Sequence, residues 1–295
     1  MIPLDLRKWP GFLEAGGAAD TPAWIDQVCI DSRRIASSAA LFVALPGSQA
    51  HGKDFVLQAD QAGAQFALVP LDFAPSYPSY RLQWLRVRDP LAALQQIAAL
   101  YRKELSLKLV AITGSFGKTM LKDLLYQLLS PHQKTAASPE SFNSQIGVAL
   151  SIFSFSKESQ IGLVEAAISQ RAEMAKLATL LQPDHTILTT IGKKHLSTLG
   201  GLGILAKESM QLVTATSSEG WGLLPNHPLF SPYLADCVAP LYFWDAPVPS
   251  LPHIEPIASK QASPHLTYRI HFPDGEYWEQ TSKIGYKYLP DLLNM

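Results

Sequence analysis

Cysteine is scarce in this chain of 295 residues, which has only Cys29 and Cys237. Two are too few for a disulfide framework, and they lack the spacing of a metal knuckle; a reducing compartment such as the cytoplasm is expected. An excess of charge is missing too. Against 24 Lys and Arg stand 25 Asp and Glu, giving a net charge of -1 and a pI near 6.7. That balance supplies no general attraction to nucleic acid or to an anionic membrane, so any partner has to be recognised locally. Nowhere do 18 apolar residues run together, and the opening "MIPLDLRKWPGFLEAGG" is broken by Asp5 and Glu14. A membrane span and a signal peptide are therefore not expected, and the chain reads as soluble and unexported. Internal repeats and low-complexity tracts are absent as well. What is present is apolar mass: 47% of the residues are hydrophobic, enough for a large core divided between two domains.

Alternating apolar runs and chain breakers organise that mass. "LFVAL" (41–45) and "FALVP" (66–70) read as short strands with the helical pattern "FVLQADQAGA" between them, a small α/β unit. Proline and tyrosine crowd "LDFAPSYPSY" (71–80), which cannot sustain a helix, and the domain boundary is expected just after it, near residue 84. From residue 90 a helix through "PLAALQQIAALYRKEL", the strand "LVAIT", a helix from Thr119 through "MLKDLLYQLLS", and strands "GLVEAAI" and "HTILTTI" follow one another. Strands alternating with helices of this length predict a doubly wound parallel sheet, whose ligands bind beyond the carboxyl ends of the strands.

"LVAITGSFGKT" places Gly114, Ser115, Gly117, Lys118 and Thr119 between such a strand and a helix. Free N–H groups and the positive helix end can surround a phosphate there, lysine adds a mobile charge, and the threonine hydroxyl can ligate magnesium. The pattern is shorter than G-x-x-x-x-G-K-[ST], since Ile112 stands where the first glycine would be, and alone it is compatible with an ordinary glycine turn. Glu165 is an acid inside an apolar strand, for which a metal would be a partner. His195 follows the next strand end, where a plain surface histidine is the simpler reading, and Lys207 lies in a helical pattern that also suits a solvated helix face.

Taken together, "TGSFGKT", "SPESFNSQIGVALSIF", "VEAAISQRAEMAKLATLLQPDHTILTTIGKKHLSTLGG" and "LAKESMQL" resemble the central ATPase domain of the Mur ligases, which build the peptide of bacterial peptidoglycan. "DSRRIASSAALFVALPGSQAHGKDFVLQADQAGAQFALV" resembles the UDP-sugar-binding domain of the same family. The likeness runs from about residue 28 to 213 and is strongest to the members that add D-alanyl-D-alanine to UDP-N-acetylmuramoyl-tripeptide, especially the form fused to an alanine racemase.

The resemblance implies a small α/β UDP-muramoyl-peptide-binding domain over residues 1–84, followed by a doubly wound P-loop ATPase domain over 85–295. It implies ATP and Mg2+ as cofactors, with the γ-phosphoryl group passing to the tripeptide carboxylate and the amine of D-alanyl-D-alanine displacing phosphate. Lys118 is then expected on the outer phosphates and Thr119 on the first magnesium. Glu165 shares in that cation, His195 holds a second one, and Lys207, carbamylated by CO2, supplies an anionic oxygen. Asn143 and Ser144 match the segment between nucleotide and muramoyl-peptide, while Asp31, Ser32 and Arg33 match the uridine-diphosphate contacts or, equally, a polar turn closing a strand.

Departures accompany the match. Phe116 takes the place of the usual Asn in the phosphate loop, Lys193 and Lys194 replace smaller or acidic neighbours, and "TSKIGYKYLPDLLNM" does not resemble a continuation of the central sheet. A truncated ligase is therefore expected, with the closing C-terminal ligase domain, or a racemase portion, encoded downstream. The alternative from another class is a catalytically silent module that binds nucleotide or UDP-muramoyl-peptide. A folylpolyglutamate-type ligase leaves the first domain unexplained.

Overall fold

The structure is a computed structural model that describes residues 1, 3–20, 22–47, 50–75, 80–139, 141–192, 199–244, 253–257, 265–271 and 277–283, the last three stretches as backbone. Two short strands, β1 (Leu4–Asp5) and β2 (Trp24–Ile25), pair antiparallel ahead of the first sheet. That sheet is fully parallel and runs in chain order through β3 (Gln27–Cys29), β4 (Ala40–Val43), β5 (Phe66–Pro70) and β6 (Gln83–Val87), with helix α1 (Val56–Gln61) joining β4 to β5. Because side chains alternate along a strand, each strand feeds two cores. Phe42, Ala67 and Val69 pack with Val56, Ala59 and Phe73, whereas Leu41, Val43, Phe66 and Leu68 join a larger cluster on the opposite face. The first sheet thus extends to Val87, three residues past the boundary expected from the proline-rich connection, because β6 follows that connection and pairs with β5.

Helix α2 (Pro90–Lys103) begins where Asp89 accepts the Leu91 and Ala92 N–H groups and Pro90 presets the first turn. Its buried residues Leu94, Ile97, Ala98 and Tyr101 lie in the same cluster as Leu41 and Phe66 of the first sheet and Leu109 and Ala111 of the second, so one core spans both units.

The second sheet has six parallel strands. In chain order its elements are β7 (Lys108–Thr113), α3 (Lys118–Leu129), β8 (Thr135–Ala137), α4 (Gln145–Ser154), β9 (Ile161–Glu165), α5 (Glu173–Leu181), β10 (His185–Leu188), α6 (Leu202–Thr214), β11 (Trp221–Leu224) and β12 (Leu241–Phe243). The spatial order β12-β11-β10-β7-β9-β8 puts β7 in the middle, with β9 on one side and β10 on the other. Leu109 and Ala111 face the cluster that contains the buried faces of α2, α4 and α5, while Val110 and Ile112 face Leu121, Leu125 and Leu129 of α3. This is the doubly wound sheet that the alternating pattern predicts, and its crossover about β7 opens the crevice where such sheets bind ligands. The strands β13 (His253–Ile257), β14 (His265–His271) and β15 (Tyr277–Lys283) form a separate antiparallel sheet and do not extend the central one.

At the opposite end of β7, Asp184 closes the seam with β10. Its carboxylate accepts from Leu109 N and Arg102 Nη2, both at 2.9 Å, and from Lys108 Nζ at 3.1 Å. Burial pushes this carboxyl up, but the Leu109 N–H and the charges of Lys108 and Arg102 outweigh it and hold the pKa below 3.8. Next to it His185 stacks on Trp221 with centroids 4.6 Å apart, and burial lowers its imidazole below 6.5 against the opposing pull of Asp184. Stability should therefore decline in two stages on acidification. Below 6.5 the unfolded chain protonates His185 while the fold resists it; the Asp184 contribution, complete above 3.8, is lost as the pH falls through its lower folded value. Urea midpoints measured between pH 8 and 3 should show the upper stage absent in His185→Gln. Asp184→Asn should cost about 2 to 3 kcal/mol at pH 7, because Arg102 loses its buried counter-charge. A flat profile in the wild type between pH 7 and 5 would contradict this assignment.

Candidate functional site

Beyond the carboxyl end of β7 the chain turns through two glycines with positive φ, Gly114 at 126° and Gly117 at 77°. At Gly114 a Cβ would collide with Thr189 Oγ1 and stand 2.9 Å from the Thr190 carbonyl oxygen, so glycine is required on both steric and conformational grounds. Gly117 is the N-cap of α3 and brings no side chain to the first turn, whose N–H groups face the loop. Lys118 is buried, and its Nζ donates to Gly114 O at 2.6 Å across the turn.

The loop after β10 braces this turn. Ser115 N donates to Thr190 O at 2.8 Å, Gly192 N donates to Ser115 Oγ at 2.9 Å, and Thr189 Oγ1 donates to Phe116 O at 2.6 Å. Phe116 is 52% exposed and lies against Gly192, where a Cβ would come within 2.8 Å of its ring. The phosphate-loop phenylalanine thus packs outward, against the loop after β10.

Glu165 ends β9 and is 1% exposed. Its Oε2 accepts from Thr119 Oγ1 at 2.7 Å and its Oε1 from Asn143 Nδ2 at 2.6 Å. Its own N–H donates to Ser138 Oγ at 3.3 Å, and the Ser138 carbonyl accepts from the buried Lys122 Nζ at 2.9 Å. Next to these groups, at Asn143 and Lys118, a cleft of about 110 Å³ is lined by Thr113, Gly114, Ser115, Lys118 and Asn143 together with Ala167, Ile168 and the α6 residues Leu205 and Ser209. A threonine hydroxyl paired to a buried carboxylate beside the positive end of a helix fits a magnesium-bound phosphate chain. Magnesium takes few protein ligands and completes its shell with phosphate and water, so the residues present suit it. Among the described residues no three His, Cys, Asp or Glu form a cluster of their own.

A second cleft, of about 330 Å³, opens at the carboxyl ends of β4 and β5, between Leu45, Pro46 and Pro70 on one wall and Arg88, Leu91 and Ile146 on the other. Ser144 caps α4 by accepting from Gly147 N, so the segment from Asn143 to Ile146 reaches from the first cleft to the second.

The remaining expected residues fall differently. Asp31 and Arg33 pair with each other at 2.8 Å on an exposed turn, where hydrogen bonds from Arg33 hold the Asp31 carboxyl at about 2, and Ser32 Oγ donates to Gln58 Oε1. Lys207 is exposed on α6 and, like Thr119 and Glu165, is not among the residues lining the cleft. His195, Lys193 and Lys194 lie outside the described residues. Not singled out from the sequence were Ser138 and Thr189, which lie inside quoted segments but were assigned no role, and Lys122, a cation one helical turn beyond Lys118 that was visible in an apolar pattern.

A parallel, doubly wound sheet with a glycine loop, lysine and threonine at its central strand defines a phosphate-binding α/β protein. Comparison with known proteins narrows the class: residues 112–235 match the Mur ligase middle domain, past the residue 213 where the sequence likeness was expected to fade, and residues 25–102 match the domain described as Mur ligase family, catalytic domain. The chain belongs to the Mur ligase family and carries its N-terminal and middle domains. It is 31% identical over 196 residues to the UDP-N-acetylmuramoyl-tripeptide--D-alanyl-D-alanine ligase of Bacillus subtilis, covering 66% of this chain and 42% of that protein. To the same ligase of Treponema pallidum it is 32% identical over 208 residues, covering 68% and 45%. It therefore spans less than half the length of these curated relatives. The crystal structure of MurF from Acinetobacter baumannii superposes with a TM-score of 0.78 at 22% identity, covering 96% of this chain and 61% of that one. MurF from Thermotoga maritima, in complex with ADP, gives 0.72 at 20% identity, covering 86% and 57%.

The glycine loop generates a graded prediction. Gly114→Ala meets both a positive φ and occupied space, and should abolish nucleotide binding by the purified chain and lower its thermal midpoint. Gly117→Ala has nothing within 4 Å of the new methyl group and meets only the conformational cost, about 1 to 2 kcal/mol. Equal loss in both variants, read by thermal unfolding with and without Mg-ADP, would contradict the packing at Gly114.

Proposed function

We propose that this chain serves the ATP-dependent joining of D-alanyl-D-alanine to UDP-N-acetylmuramoyl-tripeptide in the cytoplasmic assembly of peptidoglycan precursors. The observation that supports the reading is the segment from Asn143 to Ile146, which joins the cleft at the glycine loop to the cleft at the strand ends of the first sheet. The first cleft takes Mg-ATP; the second, at the strand ends of the N-terminal sheet, takes the UDP-muramoyl-peptide. The curated relatives named for this reaction match 66% and 68% of this chain.

Within that reading the chain's own residues act chiefly by positioning and by neutralising charge. The amides around Gly114 to Thr119 cradle the phosphates, and Lys118 leaves Gly114 O to reach the outer ones. Thr119 and Glu165 hold magnesium, which supplies charge neutralisation on the phosphates when bound. Asn143 orients the acceptor carboxylate, with Ser144 fixing the helix start behind it. The γ-phosphoryl group passes to that carboxylate, giving ADP and an acyl phosphate; the D-alanyl-D-alanine amine then adds to the carbonyl carbon and inorganic phosphate leaves.

A second reading is binding without turnover, favoured by the exposed Phe116 ring in the loop and by the outward position of Lys207. Calorimetric titration with Mg-ATP separates the loop from chance resemblance. Lys118→Ala should weaken binding by about 1.5 to 3 kcal/mol through loss of a charge-assisted phosphate contact. Equal affinity in wild type and variant would remove this loop from consideration. Mass-spectrometric detection of UDP-muramoyl-pentapeptide after incubation with ATP and both substrates distinguishes ligation from silent binding.

A further inference from the structure

Lys122 is a buried cation that the proposed function leaves unused. It is 2% exposed on α3, on the face it shares with Lys118 four residues earlier, while Leu121, Leu125 and Leu129 supply apolar contacts with the central sheet. Packing alone does not call for an ammonium there, and burying one is costly unless it is paired. What the ammonium holds explains its position. Its Nζ lies 3.3 Å from Asp123 Oδ1 and donates to Ser138 O at 2.9 Å.

Ser138 follows β8, the three-residue edge strand of the second sheet, and is itself buried. Its N–H donates to Leu163 O at 2.8 Å and its hydroxyl accepts from Glu165 N at 3.3 Å, so it grips β9 on both sides of Val164. Thr119 and Lys122 are three residues apart on α3 and hence neighbours on its surface. Two contacts thus tie the same turn of α3 to the end of β9: Thr119 to the Glu165 carboxylate, and Lys122 through Ser138 to the Glu165 backbone. A cation bound between Thr119 and Glu165 replaces the first contact; the second can persist. The 2.7 Å between Thr119 Oγ1 and Glu165 Oε2 is close to the edge, about 3 Å, of an octahedron with magnesium–oxygen bonds of about 2.1 Å.

We propose that Lys122 is a positioning residue for the magnesium ligands: by clamping Ser138 to the helix that carries Thr119, it keeps the Thr119 hydroxyl and the Glu165 carboxylate side by side, ready to present oxygens to one cation. The inference rests on the reading of Thr119 and Glu165 as magnesium ligands. Lys122 touches neither the nucleotide nor the cation in this role and acts only through Ser138.

The test measures ADP affinity by calorimetric titration of the full chain, once in Mg2+ and once in EDTA, so that the gain due to the cation is read apart from nucleotide binding itself. Wild type should bind ADP more tightly in Mg2+. Lys122→Met should cut that gain about tenfold, the cost of removing a group that orients metal ligands, and keep the wild-type affinity in EDTA. The sign separates positioning from charge: were Lys122 only a nearby positive charge, its removal would ease cation binding and enlarge the gain. Ser138→Ala, which takes away a hydroxyl and leaves the core filled, should show a smaller loss of the same kind, and it decides the matter if Lys122→Met does not unfold cooperatively. An equal loss in both buffers, or a gain unchanged or enlarged in either folded variant, would overturn the inference. Wild type without any Mg2+-dependent gain would overturn the reading of Thr119 and Glu165 as well, and wild type that binds no ADP at all would overturn the nucleotide reading of the cleft.

Discussion

Glu165 is the group on which the arrangement of the site depends. It is a carboxylate at the end of a central strand, almost fully withdrawn from water, and its desolvation is offset by Thr119 at 2.7 Å and Asn143 at 2.6 Å. Those two donors belong to the first turn of α3 and to the segment that leads into α4. One buried charge thus draws together β9, the phosphate loop and the stretch between the clefts. Both donors are neutral, so under the proposed function the same carboxylate would exchange them for a cation bound with the phosphates.

The scaffold makes that exchange local. Thr189, Ser115 and Gly192 tie the phosphate loop to the strand beside it, and α2 fuses the two sheets through a shared core in which Leu41, Phe66, Leu94, Ile97 and Leu109 belong to one cluster. A joint of that kind favours fixed spacing between the clefts over free hinge motion, since packed apolar surfaces resist sliding. Residues Asn143 to Ile146 then bridge sites whose separation is set by the core.

Much of this was legible in the sequence where periodicity and local chemistry agree. The strand "FALVP" is β5 residue for residue, and "LVAIT" lies within β7; the helix begun by Pro90 and the glycine loop were placed by their own breakers. Short elements were not legible: β3 and β8 have three residues each, too few for a period to register, and α4 lay inside a segment quoted for its motif. At the site, Gly114, Lys118, Thr119 and Glu165 announce themselves by residue type against an apolar background. The Asp31–Arg33 pairing and the outward face of Lys207 depend on side-chain direction, which motif spacing does not carry. Thr189 and Ser138 act through a hydroxyl at a strand end, a role available to many serines and threonines.

The account stands most directly on what happens to the Glu165 carboxylate when nucleotide binds, and a crystal structure of the chain with Mg-ADP measures it. The phosphates should lie against the turn from Gly114 to Thr119, with Thr119 and Glu165 no longer hydrogen-bonded to each other because both contact the cation directly or through water. Nucleotide located elsewhere, or bound in the cleft with the Thr119–Glu165 and Asn143–Glu165 hydrogen bonds intact and no cation beside them, would contradict it.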